Sequence, residues 1–331
     1  MNQLTDSFGR TMKYLRLSVT DRCNLRCFYC MPHEGIDFLP KNQLLTYEEL
    51  LRLTSLLAGM GISKVRITGG EPFIRKELIG FLEKLTEIHG ISKVSITTNG
   101  ILTGPFIPDL KRLGIHQINL SLDTLDETNF RKITRREDYH KVIETFHTLL
   151  KEGFEVKINA VIMDGINDHE ILALAQLAIN HPVSVRFIEE MPFNGSGRHP
   201  KKLLWDFPKI LETLRHHFQD LKPISSESGS TAENFHIDGA LGSIGIIAAY
   251  TRGFCGTCDR LRITSTGSLR TCLYGADTLN LKEMLRSGAC DAEIMEAINS
   301  AVKKKSRDGF IAEKERGIAN PIGESMAGIG G

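Results

Sequence analysis

Long apolar runs, an excess of charge of one sign, and a fourth cysteine in either cysteine group are all missing from this 331-residue sequence. Nothing approaches the roughly 20 apolar residues that a membrane-spanning helix needs. The longest candidate, Leu241–Tyr250, is short and contains Gly242 and Gly245. Residues 1–20 lack the apolar core of a secretory signal, so the expected location is a reducing cytoplasm without a disulfide framework. Lys plus Arg is 41 against 40 Asp plus Glu, a formal net charge of +1. That balance, with no basic and aromatic-rich stripe, argues against a protein that coats nucleic acid or an anionic membrane.

What the chain has is ordinary globular composition, 41% hydrophobic and 24% charged, with length for two domains. Short β-rich runs alternate with amphipathic helical stretches from residue 13 to residue 191. Strands are expected at Tyr14–Val19, Lys64–Thr68, Lys93–Thr97, Gln117–Leu122, Glu155–Val161 and Ser184–Glu189. Alternation of this kind builds right-handed βαβ units and a parallel sheet. Six units fall short of the eight of a closed barrel, leaving a partial barrel or an open sheet.

The texture changes after Met191. Pro192–Pro200 and Ser225–Asn234 have the composition of loops. Helices are expected at Leu203–Phe218, Leu279–Arg286 and Asp291–Lys304, strands between Phe235 and Leu273, and irregular chain from Ser306 to Gly331. The division is therefore an α/β region over 1–195 and a smaller α+β region over 196–331.

Seven cysteines fall into two trios and a remainder. Cys23, Cys27 and Cys30 are spaced C-x3-C-x2-C; Cys255, Cys258 and Cys272 are spaced C-x2-C-x13-C; Cys290 stands alone. In a reducing compartment such groups hold metal. A structural zinc ion closes on four ligands, for which His33 or Cys290 could complete a set. A four-iron cluster capped by three thiolates keeps one iron open to an outside molecule. Cys290 lies in an Ala-rich helical stretch and reads as a small buried bystander.

If the chain past Cys258 is a strand, Cys258, Arg260 and Arg262 share one face. Planar guanidinium forks suit phosphate oxygens. Arg16, Arg66, Lys157 and Arg186 add cations on strands, where unpaired charge is costly, so an anionic ligand in the lumen is implied.

The first trio followed, one βα unit later, by Gly69-Gly70-Glu71-Pro72 resembles the radical S-adenosylmethionine enzymes. That resemblance implies a partial (β/α)6 TIM-like barrel and a [4Fe-4S] cluster whose open iron chelates S-adenosylmethionine. Reductive cleavage then yields a 5′-deoxyadenosyl radical. Matching positions imply cofactor contacts at Tyr29, Gly70, Ser121 and Met191.

Further motifs narrow the resemblance. Thr97-Thr-Asn-Gly100, Val156-Lys-Ile-Asn-Ala-Val161, Gly165-Ile-Asn-Asp168, Phe187-Ile-Glu-Glu-Met191, Cys255-Gly-Thr-Cys-Asp-Arg-Leu-Arg262 and the terminal Ile329-Gly-Gly331 are similar to the GTP 3′,8-cyclase family of molybdenum cofactor biosynthesis. This implies a lyase with a second [4Fe-4S] cluster on the second trio. It implies GTP contacts at Arg16, Arg66, Thr97, Lys157, Arg260, Leu261 and Arg262, and a Gly330-Gly331 tail entering the active site. The radical would take hydrogen from the ribose 3′ carbon, and carbon 3′ would join guanine C8 to give 3′,8-cyclo-7,8-dihydro-GTP. A homodimer, an external electron donor and a downstream cyclic pyranopterin monophosphate synthase are the implied partners, with no nucleic acid or membrane. Departures from the pattern are Asp259, placed to pair with an arginine, and the Lys303–Phe310 segment.

Overall fold

A computed structural model describes residues 3–32, 36–191, 203–225, 229–316 and 325–329. His33, the Pro192–Pro200 loop and the Gly330-Gly331 tail lie outside the described residues. The strands are β1 (Tyr14–Ser18), β2 (Lys64–Thr68), β3 (Lys93–Thr98), β4 (Gln117–Ser121), β5 (Glu155–Ile162), β6 (Ser184–Glu189), β7 (Lys222–Ile224), β8 (Ala232–His236), β9 (Ser243–Ile247), β10 (Arg260–Ile263), β11 (Ser268–Arg270) and β12 (Leu279–Asn280). The helices are α1 (Tyr47–Gly59), α2 (Leu78–Thr86), α3 (Ile107–Arg112), α4 (Glu127–Thr134), α5 (Tyr139–Lys151), α6 (Ile171–Asn180), α7 (Phe207–His217), α8 (Leu281–Arg286), α9 (Asp291–Lys303), α10 (Gly309–Glu315) and α11 (Met326–Ile329).

Among the described residues, twelve strands join one sheet in the order β12-β11-β10-β1-β2-β3-β4-β5-β6-β9-β8-β7. Strands β1 to β6 are parallel and sequential, as the βα alternation requires. The C-terminal region adds a parallel strand at each edge, β10 beside β1 and β9 beside β6, and antiparallel pairs beyond them. It extends the barrel sheet at both edges. Side chains from both flanks and from the middle of the sheet line one cavity, so the sheet is rolled around it.

Alternation explains which face does what. Leu15, Leu17, Val65, Ile67, Ile118, Leu120, Val156, Ile158, Val185 and Phe187 point outward into the core beneath the helices. At about 1.5–3 kcal/mol for each fully buried large aliphatic side chain, this face holds the sheet to its helices. The intervening Arg16, Arg66, Thr97, Ser121, Asn159 and Arg186 point into the lumen. Helix starts follow local chemistry: Thr46 and Glu49 form a reciprocal capping box on α1, and Asp126 caps α4.

Three expectations are corrected. The Ser306–Gly331 stretch contains α10 and α11; Asp308 caps α10 by accepting from Phe310 and Ile311 N–H. The end of the Ser225–Asn234 loop is strand, since β8 begins at Ala232 and pairs with β9. Cys290 is exposed, because it precedes the first turn of α9 as its N-cap and is not packed on the helix's buried face.

Glu189 ties the two regions together. Its fully buried carboxylate accepts from the backbone N–H of Phe207, Tyr250 and Thr251, each at 2.7 Å, and from the Thr251 hydroxyl at 2.8 Å. Glu189→Gln would turn an amide N–H₂ toward these donors. We expect a loss of about 1–3 kcal/mol in chemical denaturation; an unchanged midpoint and slope would refute the clasp.

Candidate functional site

The first trio sits on the loop after β1, held from behind by α4. Arg26 N–H and Phe28 N–H donate to the Thr134 and Ile133 carbonyls. Arg26 Nη1 reaches back to the Cys23 carbonyl at 2.6 Å, and Arg136 Nε donates to the Asn24 carbonyl at 3.1 Å. Arg135, with φ at 57° in the left-handed region, donates to the Arg26 and Pro32 carbonyls. That backbone conformation costs about 1–2 kcal/mol in a non-glycine residue, which these hydrogen bonds offset.

The Gly69–Pro72 turn locks the same loop from the other side. Gly70 N–H donates to the Thr20 carbonyl and Glu71 N–H to the Arg22 carbonyl, both at 2.8 Å. A Cβ on Gly70 would lie 2.3 Å from the Arg22 oxygen, so glycine is demanded by the cysteine loop's own backbone. Glu71 is buried and accepts from Thr98 Oγ1, Asn99 N–H and Phe73 N–H; burial nevertheless pushes its carboxyl up to about 7. Asn99 in turn donates to Asn24 Oδ1 at 2.8 Å and lies 3.8 Å from Cys23 Sγ.

The second trio lies across the cavity. Cys255 and Cys258 precede β10, and Cys272 follows β11. Arg10 anchors this side by donating to the Cys255 carbonyl at 2.9 Å and to the Ser306 and Arg307 carbonyls. All six cysteines line one cavity. Burial pushes Cys23 up to about 12 and raises Cys27, Cys30 and Cys255, so deprotonated sulfur is favourable there only beside positive charge. Soft thiolate donors opposite a cationic iron–sulfur body meet that requirement.

Between the trios runs a rung of guanidinium groups. Register places Arg262 opposite Arg16 and Arg16 opposite Arg66 across three adjacent strands; Arg270, opposite Arg262, pairs with Asp277 instead of lining the cavity. Burial, then Arg262 and Arg66, holds Arg16 well below the usual arginine value. Burial, then Arg260, lowers Arg262 to about 10; burial, then Arg66, does the same to Arg186. Arg66 Nε, Arg186 Nε, Arg260 Nη1, Thr97 Oγ1 and Asn159 Oδ1 are buried with no hydrogen-bond partner among the described residues. A cation-rich lumen with open donors calls for a polyanion.

Tyr29, Gly70, Ser121, Met191, Arg16, Arg66, Thr97, Arg260 and Arg262 all line the cavity. Tyr29 donates to the buried Asp123 carboxylate at 2.8 Å. Lys157 and Leu261 are not brought to the lining: Lys157 pairs with Glu155 at 2.8 Å, and Leu261 is fully buried in the core. Asp259 forms no ion pair among the described residues, and its carboxyl is raised by burial against the pull of Arg260. Met326 and Ala327 of α11 also line the cavity, with Ser325 Oγ 3.9 Å from Cys30 Sγ.

Sequence reasoning missed Tyr14 and Asp123. The Arg66 and Arg260 guanidinium carbons lie 5.4 and 5.7 Å from the Tyr14 ring centroid. Burial alone would raise the Tyr14 phenol, but Arg66 and Arg16 outweigh it and the value falls. Its position two residues before Arg16 on β1 was the available signal.

Residues 17–178 match the Radical SAM superfamily model, the class that a rolled parallel sheet with a three-cysteine loop defines, and residues 183–311 match Molybdenum Cofactor Synthesis C. Among relatives, molybdenum cofactor biosynthesis protein 1 of Bos taurus is 44% identical over 92% of this chain and 48% of its own length. The chain thus spans about half the length of the first curated relatives it matches. The GTP 3′,8-cyclase of Rhodopirellula baltica is 40% identical over 99% of this chain and 92% of the relative. The fold resembles Streptococcus suis SuiB bound to S-adenosylmethionine, with a TM-score of 0.59 and 17% identity over 85% of this chain and 67% of that one. This chain belongs to the GTP 3′,8-cyclase family of radical S-adenosylmethionine proteins.

Gly70→Ala is expected to displace the first cysteine loop. Iron in anaerobically reconstituted protein should fall from about eight per chain toward about four, with far-UV circular dichroism retained. Full iron content in the variant would contradict the proposed packing constraint.

Proposed function

We propose that this chain is a lyase that cyclises GTP to 3′,8-cyclo-7,8-dihydro-GTP in the first step of molybdenum cofactor biosynthesis. The observation that carries the reading is the shared cavity, with a cysteine trio on either side and guanidinium groups between. Cys23, Cys27 and Cys30 would hold one [4Fe-4S] cluster, and Cys255, Cys258 and Cys272 the other. When bound, the first cluster and S-adenosylmethionine supply a 5′-deoxyadenosyl radical.

The chain's own residues do the rest. Tyr29, Gly70, Ser121 and Met191 would seat S-adenosylmethionine at the carboxyl ends of the strands, where barrel ligands collect. Arg16, Arg66, Thr97, Arg260 and Arg262 would hold the GTP triphosphate and ribose by charge-assisted hydrogen bonds. Lys157 would act through its charge from the neighbouring rung, and Leu261 through its backbone. Such clamping sets which ribose C–H bond faces the radical, and the enclosed lumen keeps other hydrogen donors away. Residues 1–195 would then carry the first cluster and radical generation together with part of the GTP site, and residues 196–331 the second cluster, Arg260 and Arg262 and the tail. The lining positions of Met326 and Ala327 support a Gly330-Gly331 tail that reaches the active site.

Among the described residues no helix is long and apolar enough to cross a membrane, which accords with a cytoplasmic enzyme. A homodimer, an external one-electron donor and a synthase that consumes the cyclic product complete the reading.

Anaerobic reconstitution with S-adenosylmethionine and a panel of nucleoside triphosphates tests it. GTP alone should give deoxyadenosine together with a cyclised product, and Cys23→Ser should give neither. Arg262→Ala should keep its iron and raise the GTP KM roughly 10- to 100-fold, the worth of one charge-assisted contact. Equal deoxyadenosine with ATP, or with no nucleotide, would overturn the proposal.

A further inference from the structure

We propose that Lys305 is the built-in counter-charge of the second cysteine trio, a positioning residue that raises the reduction potential of the cluster held there. This rests on the reading that Cys255, Cys258 and Cys272 hold an iron–sulfur cluster. Lys305 follows α9 inside a Lys303-Lys304-Lys305 run, which by sequence alone is a solvated surface stretch. Its neighbours Lys303 and Lys304 are exposed, but Lys305 is only 3% exposed.

The ammonium donates to two backbone carbonyls, that of Arg260 at 3.0 Å and that of Thr271. Arg260 lies two residues after Cys258, and Thr271 immediately precedes Cys272. One side chain therefore pins the limb carrying Cys255 and Cys258 to the limb carrying Cys272.

Carbonyl oxygens satisfy donors but leave the charge uncompensated. No carboxylate among the described residues forms an ion pair with Lys305. A buried, unpaired ammonium is costly unless an anion lies within reach. Asp259 lies within electrostatic reach of Lys305 without forming an ion pair with it; the other complementary groups are the trio's sulfurs, which are anionic when they ligate iron.

Lys305 does not line the cavity, so it acts on the trio through its field and through the two carbonyls, without touching substrate. The first trio is backed differently. Arg26, Arg135 and Arg136 stand behind it, each at least partly exposed, where solvent screens their charge. Reduction adds an electron to the cluster, and a fixed cation favours the reduced form more than the oxidised form. The second cluster should therefore be the easier to reduce on this account.

The test compares wild type, Lys305→Met, Lys305→Gln and Lys305→Arg as anaerobically reconstituted full chains, by iron content and a low-temperature EPR redox titration. Wild type is expected to carry about eight irons; about four would sink the cluster reading itself, separately from this proposal. In Lys305→Met and Lys305→Gln one of the two reduction steps should become at least tenfold less favourable, about 59 mV more negative for one electron. The other step should not move, and Lys305→Arg should match wild type. If both neutral variants shed half their iron while Lys305→Arg keeps it, the charge is required for retention and the proposal stands. Neutral variants with full iron and unmoved potentials would overturn it, as would loss of iron in Lys305→Arg as well.

Discussion

A parallel sheet covered by helices ordinarily buries apolar side chains on both of its faces, but here the inner face carries arginines, hydroxyls, amides and thiols. Arg262, Arg16 and Arg66 stand side by side in one rung, and burial lowers the first two before any neighbour acts. Like charges at adjacent strand positions repel, and desolvation adds to the cost. The apolar outer face must overcome that penalty, and a polyanion in the lumen relieves it. The fold is in this sense incomplete without its ligands.

The same constraint explains the carboxylates. Glu71, Asp123 and Glu189 are all buried near the lumen, and among the described residues none forms an ion pair with Arg66. Each accepts backbone N–H groups instead: Glu71 from Phe73 and Asn99, Asp123 from Val161, Glu189 from Phe207, Tyr250 and Thr251. They fasten strand ends to the loops that present the site. Asn167 does related work, donating to the Asp123 and Val161 carbonyls at 2.7 and 2.8 Å and joining the ends of β4 and β5.

Much of this was legible in sequence where the signal is local. The six barrel strands fall within one residue of their expected ends because period-two alternation and turn residues mark them. The trios declare themselves by spacing, and Arg16, Arg66 and Arg186 by their place on strands. The pairing of β10 with β1 was not legible, since strands more than 200 residues apart leave no mark of register. Lys305 hid in a lysine run, and Cys290 in an Ala-rich neighbourhood whose buried face it does not share. Gly70 was expected only as a cofactor contact, because sequence carries no sign that the Arg22 carbonyl crowds it.

Both cysteine trios are proposed to serve one reaction space, with substrate held between them. Turnover of GTP carrying deuterium at the ribose 3′ carbon is the decisive measurement. The deoxyadenosine released should carry one deuterium, transferred across the shared cavity. Unlabelled deoxyadenosine, formed alongside cyclised product, would rule this out.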